Sequence, residues 1–341
     1  MADAAVNLTQ KDFATDQDVR WCPGCGDYSI LANVQRVMPE FGIPRENFVF
    51  ISGIGCSSRF PYYMNTYGMH TIHGRAPAFA AGVKASRPEL SVWVVTGDGD
   101  GLSIGGNHLL HAIRRNIDYQ ILLFNNRVYG LTKGQYSPTS RIGMKTKSTP
   151  DGSIDYPIDP VKFALGASAT FVARTIDVDA KHLQQTLRRA HEHKGTAFVE
   201  ILQNCPVFND NEWIEVENKK TRSEAALVLE DGQPLVTGSK GQRRGIRIEN
   251  GIPSVVKLGD EEDPVAAGVA VHNERHDSPA YAFALASLER PNFPIPIGVF
   301  RSVERPAYDE MLSNQVTQAI EKRGEGDLHA LLHSGDTWTV E

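Results

Sequence analysis

Apolar runs alternate with amphipathic segments over residues 28–203 of this chain. Short apolar runs predict buried strands at 48–52, 90–96, 119–124, 171–176 and 196–203. Amphipathic segments predict helices at 28–38, 78–86, 108–116, 160–166 and 180–193. Strands that alternate with helices are typical of a mostly parallel sheet covered by helices on both faces. The sequence therefore predicts an α/β fold.

The pattern becomes weaker and more polar after residue 205. The run from Leu227 to Leu235 predicts a short strand pair, because Gly232 and Pro234 give a turn signal between apolar residues. A helix at 279–288 and an extended piece at 297–301 follow. We expect 1–205 to form the α/β domain and 206–341 to form a C-terminal extension that wraps the core or a partner.

Polar residues stand where two neighbouring predicted strands end. Asp98 follows the strand at 90–96, and Asn126 follows the strand at 119–124. Parallel strands joined by a right-handed crossover end at one edge of the sheet, where open α/β sheets bind ligands. Asp98, Asn126 and the carbonyl of Val128 are hard oxygen ligands of the kind that Mg²⁺ takes beside phosphates.

Glycines flank this acidic residue. Gly97 and Gly99 have no Cβ, so backbone N–H groups near them can approach phosphate oxygens closely. Asp100 is expected to orient the same loop or to cap the helix that follows. A Gly-Asp-Gly segment alone can also be a plain turn between strand and helix, and the matching Asn pair favours the binding site.

Four cysteines give the second set of candidate residues. Cys22 and Cys25 form a C-x₂-C pair, while Cys56 and Cys205 each follow a predicted strand. The C-x₂-C spacing suits a structural zinc or an iron–sulfur cluster, and the spacing alone does not choose between them. Disulfides are not expected, since residues 1–18 lack the features of a secretory signal.

These motifs resemble a known family. The Gly-Asp-Gly and Asn-Asn pair resembles the thiamine diphosphate (TPP) motif. Over residues 20–215 the chain resembles the β subunit of 2-oxoacid:ferredoxin oxidoreductases, through Cys-Pro-Gly-Cys-Gly at 22–26, Gly-Cys-Ser at 55–57 and Cys-Pro at 205–206. The resemblance implies the TPP-binding fold, TPP with Mg²⁺ on Asp98, Asn126 and Val128, and one [4Fe–4S] cluster on Cys22, Cys25, Cys56 and Cys205.

The resemblance and the position of the loops together give the expected cofactor-binding residues. They include the acidic residue after the first cysteine motif, the turns after the strands, and the loop that runs past the diphosphate. These residues are Asp27, Ile54, Gly55, Cys56, Ser57, His73, Gly97, Asp98, Gly99, Asp100, Asn126, Val128, Gly130, Leu131 and Thr132.

The choice of substrate is expected to depend on the loop after Asn126. Leu131 with Lys133 resembles the 2-oxoglutarate branch of the family, and a lysine ammonium group suits the second carboxylate of that substrate. Lys133 as an ordinary surface lysine is the alternative. The resemblance implies oxidative decarboxylation of 2-oxoglutarate to succinyl-CoA and CO₂ with reduction of ferredoxin. The same chemistry on pyruvate or another 2-oxoacid, or a non-redox TPP decarboxylase or synthase with structural zinc, stays open.

Composition and charge restrict the possible partners. The formal net charge is −6 without a basic stripe, so nucleic acid is not expected as a partner. No apolar run is long enough to span a membrane, and the cytoplasm is the expected compartment. No residue stands out as a general base. The resemblance therefore implies an α subunit that supplies the activating Glu, in an αβ heterodimer or (αβ)₂, with ferredoxin and coenzyme A as further partners.

Overall fold

The central element of the structure, a computed structural model that describes residues 7–340, is an eight-stranded sheet. A three-stranded sheet and a two-stranded sheet complete the β structure of these residues. The strands are β1 Phe48–Ser52, β2 Tyr67–His70, β3 Ser91–Gly97, β4 Gln120–Asn125, β5 Val128–Tyr129, β6 Gln135–Tyr136, β7 Phe171–Ile176, β8 Ala197–Leu202, β9 Ala226–Leu229, β10 Val236–Thr237, β11 Arg244–Glu249, β12 Ile252–Lys257 and β13 Ile295–Ser302.

Helices connect these strands and extend the C-terminal end of the chain. The α-helices are α1 Asp27–Val37, α2 Phe60–Tyr63, α3 Ala76–Ser86, α4 Gly106–Arg115, α5 Pro160–Gly166, α6 Ala180–Glu192, α7 Ile214–Glu217, α8 Lys219–Ala225, α9 Ala280–Ala286, α10 Tyr308–Arg323 and α11 Leu328–Leu332. Short 3₁₀ turns lie at Gln10–Phe13, Met38–Phe41, Arg45–Asn47 and Ser57–Arg59, and a π-helical turn lies at Asp100–Ile104. None of the helices within 7–340 combines the length and the apolar character needed to cross a bilayer.

The central sheet has the order β2-β1-β3-β4-β8-β7-β13-β9. Strands β2 to β7 in this order run parallel, while β13 pairs antiparallel with β7 and parallel with β9. The chain turns from β1 to β2 on one side and to β3 on the other. The carboxyl ends of β1 and β3 therefore border a crevice at a topological switch point, the usual ligand position in such sheets.

Helices cover both faces of this sheet, as the sequence predicts. Apolar side chains of α3, α4, α5 and α9 pack on one face, and those of α1 and α6 pack on the other. Strands β1, β4, β7 and β8 are buried along their whole length. Strands covered on both faces consist of continuous apolar runs in the sequence, and this pattern predicts their positions well.

The prediction that Leu227 to Leu235 forms a local strand pair is wrong. A turn does form there, since the N–H of Gln233 donates to the carbonyl of Glu230. The segments on either side enter different sheets: β9 pairs with β13, and β10 pairs with β11. The apolar character of Leu227 and Leu229 serves the central core rather than a local hairpin. Residues after 206 thus add two strands to the central sheet, and the boundary at 205 stays a prediction.

Candidate cofactor site

A cleft opens at the carboxyl edge of β1, β3 and β4. Its empty volume is about 510 Å³, which includes the open solvent at its mouth. Every residue that the sequence analysis expects to bind the cofactor lines this cleft, and their contact with a cofactor stays a prediction. Phe124, Tyr129 and Gln203 line it as well.

Asp98 lies buried at the base of the cleft, directly after β3. Its Oδ2 atom accepts hydrogen bonds from the hydroxyl groups of Ser137 and Thr139, each at 2.5 Å. Burial raises the pKa of Asp98 to about 6, and these two hydroxyl donors oppose that shift. A buried carboxylate with polar support is the kind of group that binds a cation.

The two asparagines after β4 have different surroundings. Asn126 lines the cleft, and its side-chain oxygen accepts a hydrogen bond from the N–H of Val128 at 3.1 Å. Asn125 is buried instead, and its amide nitrogen donates to Glu200 at 2.7 Å. The single hydroxyl proton of Thr139 lies within reach of both Asp98 and the Asn125 side-chain oxygen, the latter at 3.0 Å. Asn125 therefore supports the site from behind.

The backbone around Asp98 is shaped by a close aromatic contact. A Cβ on Gly99 would lie 2.2 Å from the ring of Tyr129, so only glycine fits there. The Tyr129 hydroxyl donates to the carbonyl of Gly99 at 3.0 Å. The π-helical turn at Asp100–Ile104 follows directly, and such turns are frequent at functional sites.

Asp100 holds the walls of the cleft together. Its Oδ1 atom accepts from the backbone N–H groups of Ile54 at 3.0 Å and Gly74 at 2.7 Å, and it lies 2.5 Å from His73 Nδ1. Its Oδ2 atom accepts from the hydroxyl of Thr96 at 2.6 Å. Protein donors thus occupy both oxygens, so Asp100 orients the loops. It does not cap the helix that follows, because the N-cap of the π-helical turn is Gly99 and that of α4 is Gly105.

The four cysteines come from three segments that hydrogen bonds tie together. The indole N–H of Trp21 donates to the carbonyl of Cys56 at 2.7 Å, which joins the C-x₂-C turn to the segment after β1. A Cβ on Gly130 would lie 3.4 Å from Cys56 Sγ and 3.7 Å from Cys205 Sγ, so both thiols face the loop beside the cleft. All four cysteines are free thiols.

The thiols also influence each other electrostatically. Burial raises the pKa of Cys56 to about 12, with contributions from Asp27, Cys205 and Cys22. Burial and the carboxylate of Asp27 raise the pKa of Cys25 strongly, and Cys205 and Cys56 add to this shift. These shifts favour the protonated thiols of Cys25 and Cys56, and metal binding at these two sulfurs would release their protons. Among residues 7–340, no three or more His, Cys, Asp or Glu side chains converge on a single metal ion.

A buried acidic pair lies next to the C-x₂-C turn. Asp27 and Asp177 are each 1% exposed, and one carboxylate oxygen of each has no hydrogen-bond partner within the described part of the chain. Burial, reinforced by the charge of Asp177, raises the pKa of Asp27 to about 7. Asp27 also lines the cleft.

Comparisons with known proteins place this geometry in a family. Residues 53–201 match the model for the C-terminal TPP-binding domain of thiamine pyrophosphate enzymes. The chain is 53% identical to 2-oxoglutarate oxidoreductase subunit KorB of Mycobacterium tuberculosis over 97% of its own length and 88% of that relative. It is 40% identical to a 2-oxoacid:ferredoxin oxidoreductase subunit beta of Sulfolobus sp over 76% of this chain and 87% of the relative. This chain belongs to the 2-oxoacid:ferredoxin oxidoreductase β subunits.

A solved structure agrees with this family. The 2-oxoglutarate:ferredoxin oxidoreductase from Magnetococcus marinus, solved with 2-oxoglutarate, coenzyme A and succinyl-CoA bound, is 32% identical to this chain. It superimposes with a TM-score of 0.75 and covers 98% of both chains. The α/β fold and the family resemblance expected from the sequence are therefore confirmed.

The residues expected to select the substrate occupy the outer part of the cleft loop. Leu131 lines the cleft and is 51% exposed. Lys133 is exposed, does not line the cleft, and has a left-handed backbone with φ of 76°. Its role in the choice of substrate stays a prediction.

Sequence reasoning missed several residues of the site in this β subunit. Ser137 and Thr139 lie in a loop without periodicity, and nothing in the sequence shows that their hydroxyl groups reach Asp98. Tyr129 stands between two residues that the sequence analysis expects in the cleft. Gln203 directly follows β8, so the strand-end argument used for Asp98 would also have found it.

Proposed function

We propose that this chain is the TPP-binding and iron–sulfur-binding β subunit of a 2-oxoglutarate:ferredoxin oxidoreductase. The enzyme would convert 2-oxoglutarate and coenzyme A to succinyl-CoA and CO₂ and reduce ferredoxin. The observation that carries the proposal is the shared wall of the two candidate sites. Cys56 lines the cleft that contains Asp98, and Gly130 of the same cleft lies against both Cys56 and Cys205.

The residues of the cleft fit TPP held through Mg²⁺. Asp98, Asn126 and the carbonyl of Val128 would bind the metal, because they supply oxygen ligands at the ends of neighbouring strands. The Asp27 oxygen that has no hydrogen-bond partner among residues 7–340 would give the cofactor a buried polar contact, since Asp27 lines the cleft. Position 99, next to Asp98, requires glycine, since the Tyr129 ring fills the space that a side chain would occupy.

The four thiols fit one [4Fe–4S] cluster. Cys22, Cys25, Cys56 and Cys205 would each bind one iron, as thiolates do in such clusters. The bonds from Trp21 to Cys56 and from Gly26 to Asn204 hold the three cysteine segments side by side. When bound, TPP supplies an electron sink for decarboxylation, and the cluster supplies transfer of single electrons to ferredoxin. The cytoplasm, where thiols stay reduced, is the compartment that this proposal implies.

A partner subunit is part of this proposal. Among the described residues, the carboxylates that line the cleft are those of Asp27, Asp98 and Asp100. Each of these already has another role in the site. The Glu that activates TPP would come from an α subunit, which would also supply contacts for coenzyme A. An αβ heterodimer or an (αβ)₂ assembly is the proposed working form.

A broader specificity for 2-oxoacids is the second candidate function. The relative from Sulfolobus sp is named for 2-oxoacids in general, while the mycobacterial relative and the structure from Magnetococcus marinus are named for 2-oxoglutarate. Higher identity to the mycobacterial relative favours 2-oxoglutarate. Comparing kcat/KM for 2-oxoglutarate and pyruvate separates the two candidates.

The proposal is tested by purifying the chain with its α subunit under anaerobic conditions. We expect four iron and four sulfide per β subunit, bound TPP, and reduction of a viologen dye that requires 2-oxoglutarate and coenzyme A. The chain alone should carry the cluster and show no turnover. Stoichiometric zinc without sulfide would contradict the cluster, and full turnover by the chain alone would contradict the shared active site.

A further inference from the structure

Gln203 is a buried amide between the cysteine turn and the cofactor cleft. It follows β8 directly, its side chain lines the cleft, and it is 1% exposed. Its Nε2 atom lies 3.3 Å from the sulfur of Cys25. None of the roles derived above uses this side chain.

The orientation of this amide follows from its second contact. Gln203 Nε2 lies 2.6 Å from the backbone carbonyl oxygen of Asn204, and only an N–H group can face a carbonyl at that distance. The amide therefore donates one N–H to the Asn204 carbonyl, and its other N–H is available to Cys25 Sγ. The Oε1 atom is buried and has no hydrogen-bond partner among residues 7–340.

The cysteine turn and the amide are fixed relative to each other. The N–H of Gly26 donates to the same Asn204 carbonyl at 3.2 Å. A Cβ on Gly26 would lie 2.8 Å from Gln203 Cγ and 1.9 Å from a carboxylate oxygen of Asp177. Only glycine after Cys25 permits this contact, so the N–H···S geometry is built into the packing.

We infer that Gln203 is a positioning residue that sets the reduction potential of the cluster through an N–H···S bond to Cys25. The inference rests on the proposed function, because it requires a cluster on these cysteines. Reduction adds one negative charge to a cluster and increases the negative charge on its sulfurs. A hydrogen-bond donor stabilises the reduced form more than the oxidised form and so raises the potential.

The test is a redox titration of the assembled αβ complex, followed by EPR of the reduced cluster. Gln203→Met keeps an unbranched buried side chain and removes both N–H donors. We expect its potential to fall by about 59 mV, which is a roughly tenfold change in a one-electron equilibrium. Iron and sulfide content should match the unmodified complex.

Gln120→Met is the matched control. Gln120 is also a buried glutamine of the central sheet, 4% exposed, and its amide donates to the carbonyl of Ala190 at 3.4 Å. It lies at the start of β4, at the opposite edge of the sheet from the cleft. This variant should leave the potential unchanged, so it accounts for the general effect of losing a buried amide.

Two results would overturn the inference while leaving the proposed function intact. One is a Gln203→Met complex whose cluster has the same reduction potential as the cluster of the Gln120→Met control. The other is loss of the cluster in folded Gln203→Met and also in Gln203→Asn, which keeps an amide but draws it back from the sulfur. That loss would assign Gln203 a role in assembling the cluster and not in setting its reduction potential. Absence of iron and sulfide from the unmodified complex would instead contradict the proposed function itself.

Discussion

The hydroxyl of Thr139 donates to the carboxylate of Asp98 at 2.5 Å, across 41 residues of sequence. Ser137 makes the same contact to the same oxygen. The loop that follows β6 is thus packed under the candidate Mg²⁺ ligand. Long loops without regular structure in compact domains are usually functional, and this contact gives a physical reason for that role here.

Removing this hydroxyl should weaken the binding of TPP with Mg²⁺. Thr139→Val keeps the shape of the side chain and removes the donor to a buried carboxylate. A hydrogen bond to a charged group contributes about 1.5–3 kcal/mol, so the Kd for TPP should rise roughly tenfold to hundredfold. Isothermal titration with TPP and Mg²⁺ measures this change.

Thr146→Val provides the control for that measurement. Thr146 belongs to the same loop, and its hydroxyl forms hydrogen bonds with the Ser148 hydroxyl and with the side chain and N–H of Thr149. Its Kd for TPP should stay within about twofold of the unmodified protein. Equal affinities of the Thr139 and Thr146 variants would show that the loop does not support the metal site.

Asp98 should be essential for cofactor binding that depends on Mg²⁺. Asp98→Ala removes the anionic ligand, and a methyl group cannot replace it in the first coordination sphere of a hard cation. TPP should be lost during gel filtration in the presence of Mg²⁺, while Asp151→Ala on the exposed part of the loop should retain it. Retention of TPP by both variants would place the metal elsewhere.

The bounds of several core elements can be predicted from the sequence, because the buried strands carry apolar side chains on both faces of the sheet. Strand β1 and helix α5 begin and end where the sequence pattern predicts, and β7 does too. The strand-end rule also brings Asp98 and Asn126 to one cleft. These predictions depend on periodicity, which is a property of the local sequence, and on the right-handedness of crossovers, which holds for nearly all such sheets.

Other features depend on partners far away in the sequence. Strand β9 pairs with β13, beginning with Ala226 opposite Ile295, and no local pattern gives that partner. The contacts from Ser137 and Thr139 to Asp98 likewise depend on how an irregular loop packs. The amide of Gln203 is informative only once Cys25 and Asn204 are known to lie beside it.

A buried ion pair behind the site should contribute strongly to stability. Arg174 donates to Glu200 at 2.6 Å, and Glu200 in turn accepts from Asn125 at 2.7 Å. Arg174→Met leaves the buried Glu200 carboxylate without its cation, which should lower the free energy of unfolding by about 3–5 kcal/mol. Urea denaturation measures the loss.

The double variant Arg174→Met/Glu200→Gln separates charge from packing. Replacing both residues should recover part of the stability, because the fully buried charge of Glu200 is then removed. Asp159, which also pairs with Arg174 at 3.2 Å, keeps its charge, but it is 20% exposed and still accepts from the N–H of Lys162. A double variant as unstable as Arg174→Met alone would mean that packing of the arginine side chain dominates instead.

Lys133 should affect one substrate more than another. If its ammonium group reaches the distal carboxylate of 2-oxoglutarate, Lys133→Met should lower kcat/KM for 2-oxoglutarate roughly tenfold to hundredfold and spare pyruvate. Leu131→Asn should shift preference toward pyruvate, since Leu131 lines the cleft beside it. The assays use the assembled complex.

The exposed Lys147 of the neighbouring loop offers a control for charge alone. Lys147→Met should leave both substrates unchanged. Equal losses on 2-oxoglutarate and pyruvate in Lys133→Met would assign the lysine to support of the loop and not to recognition of the substrate.

The central claim is that one chain holds TPP and a cluster side by side, so that electrons from the substrate enter the cluster. The most direct measurement is EPR of the anaerobic αβ complex, frozen after addition of 2-oxoglutarate and coenzyme A without ferredoxin. We expect the signal of a reduced [4Fe–4S] cluster, and its absence when Cys205→Ser replaces the unmodified β subunit. A complex that forms succinyl-CoA at full rate with Cys205→Ser, or that shows no cluster signal with the unmodified chain, would contradict this account.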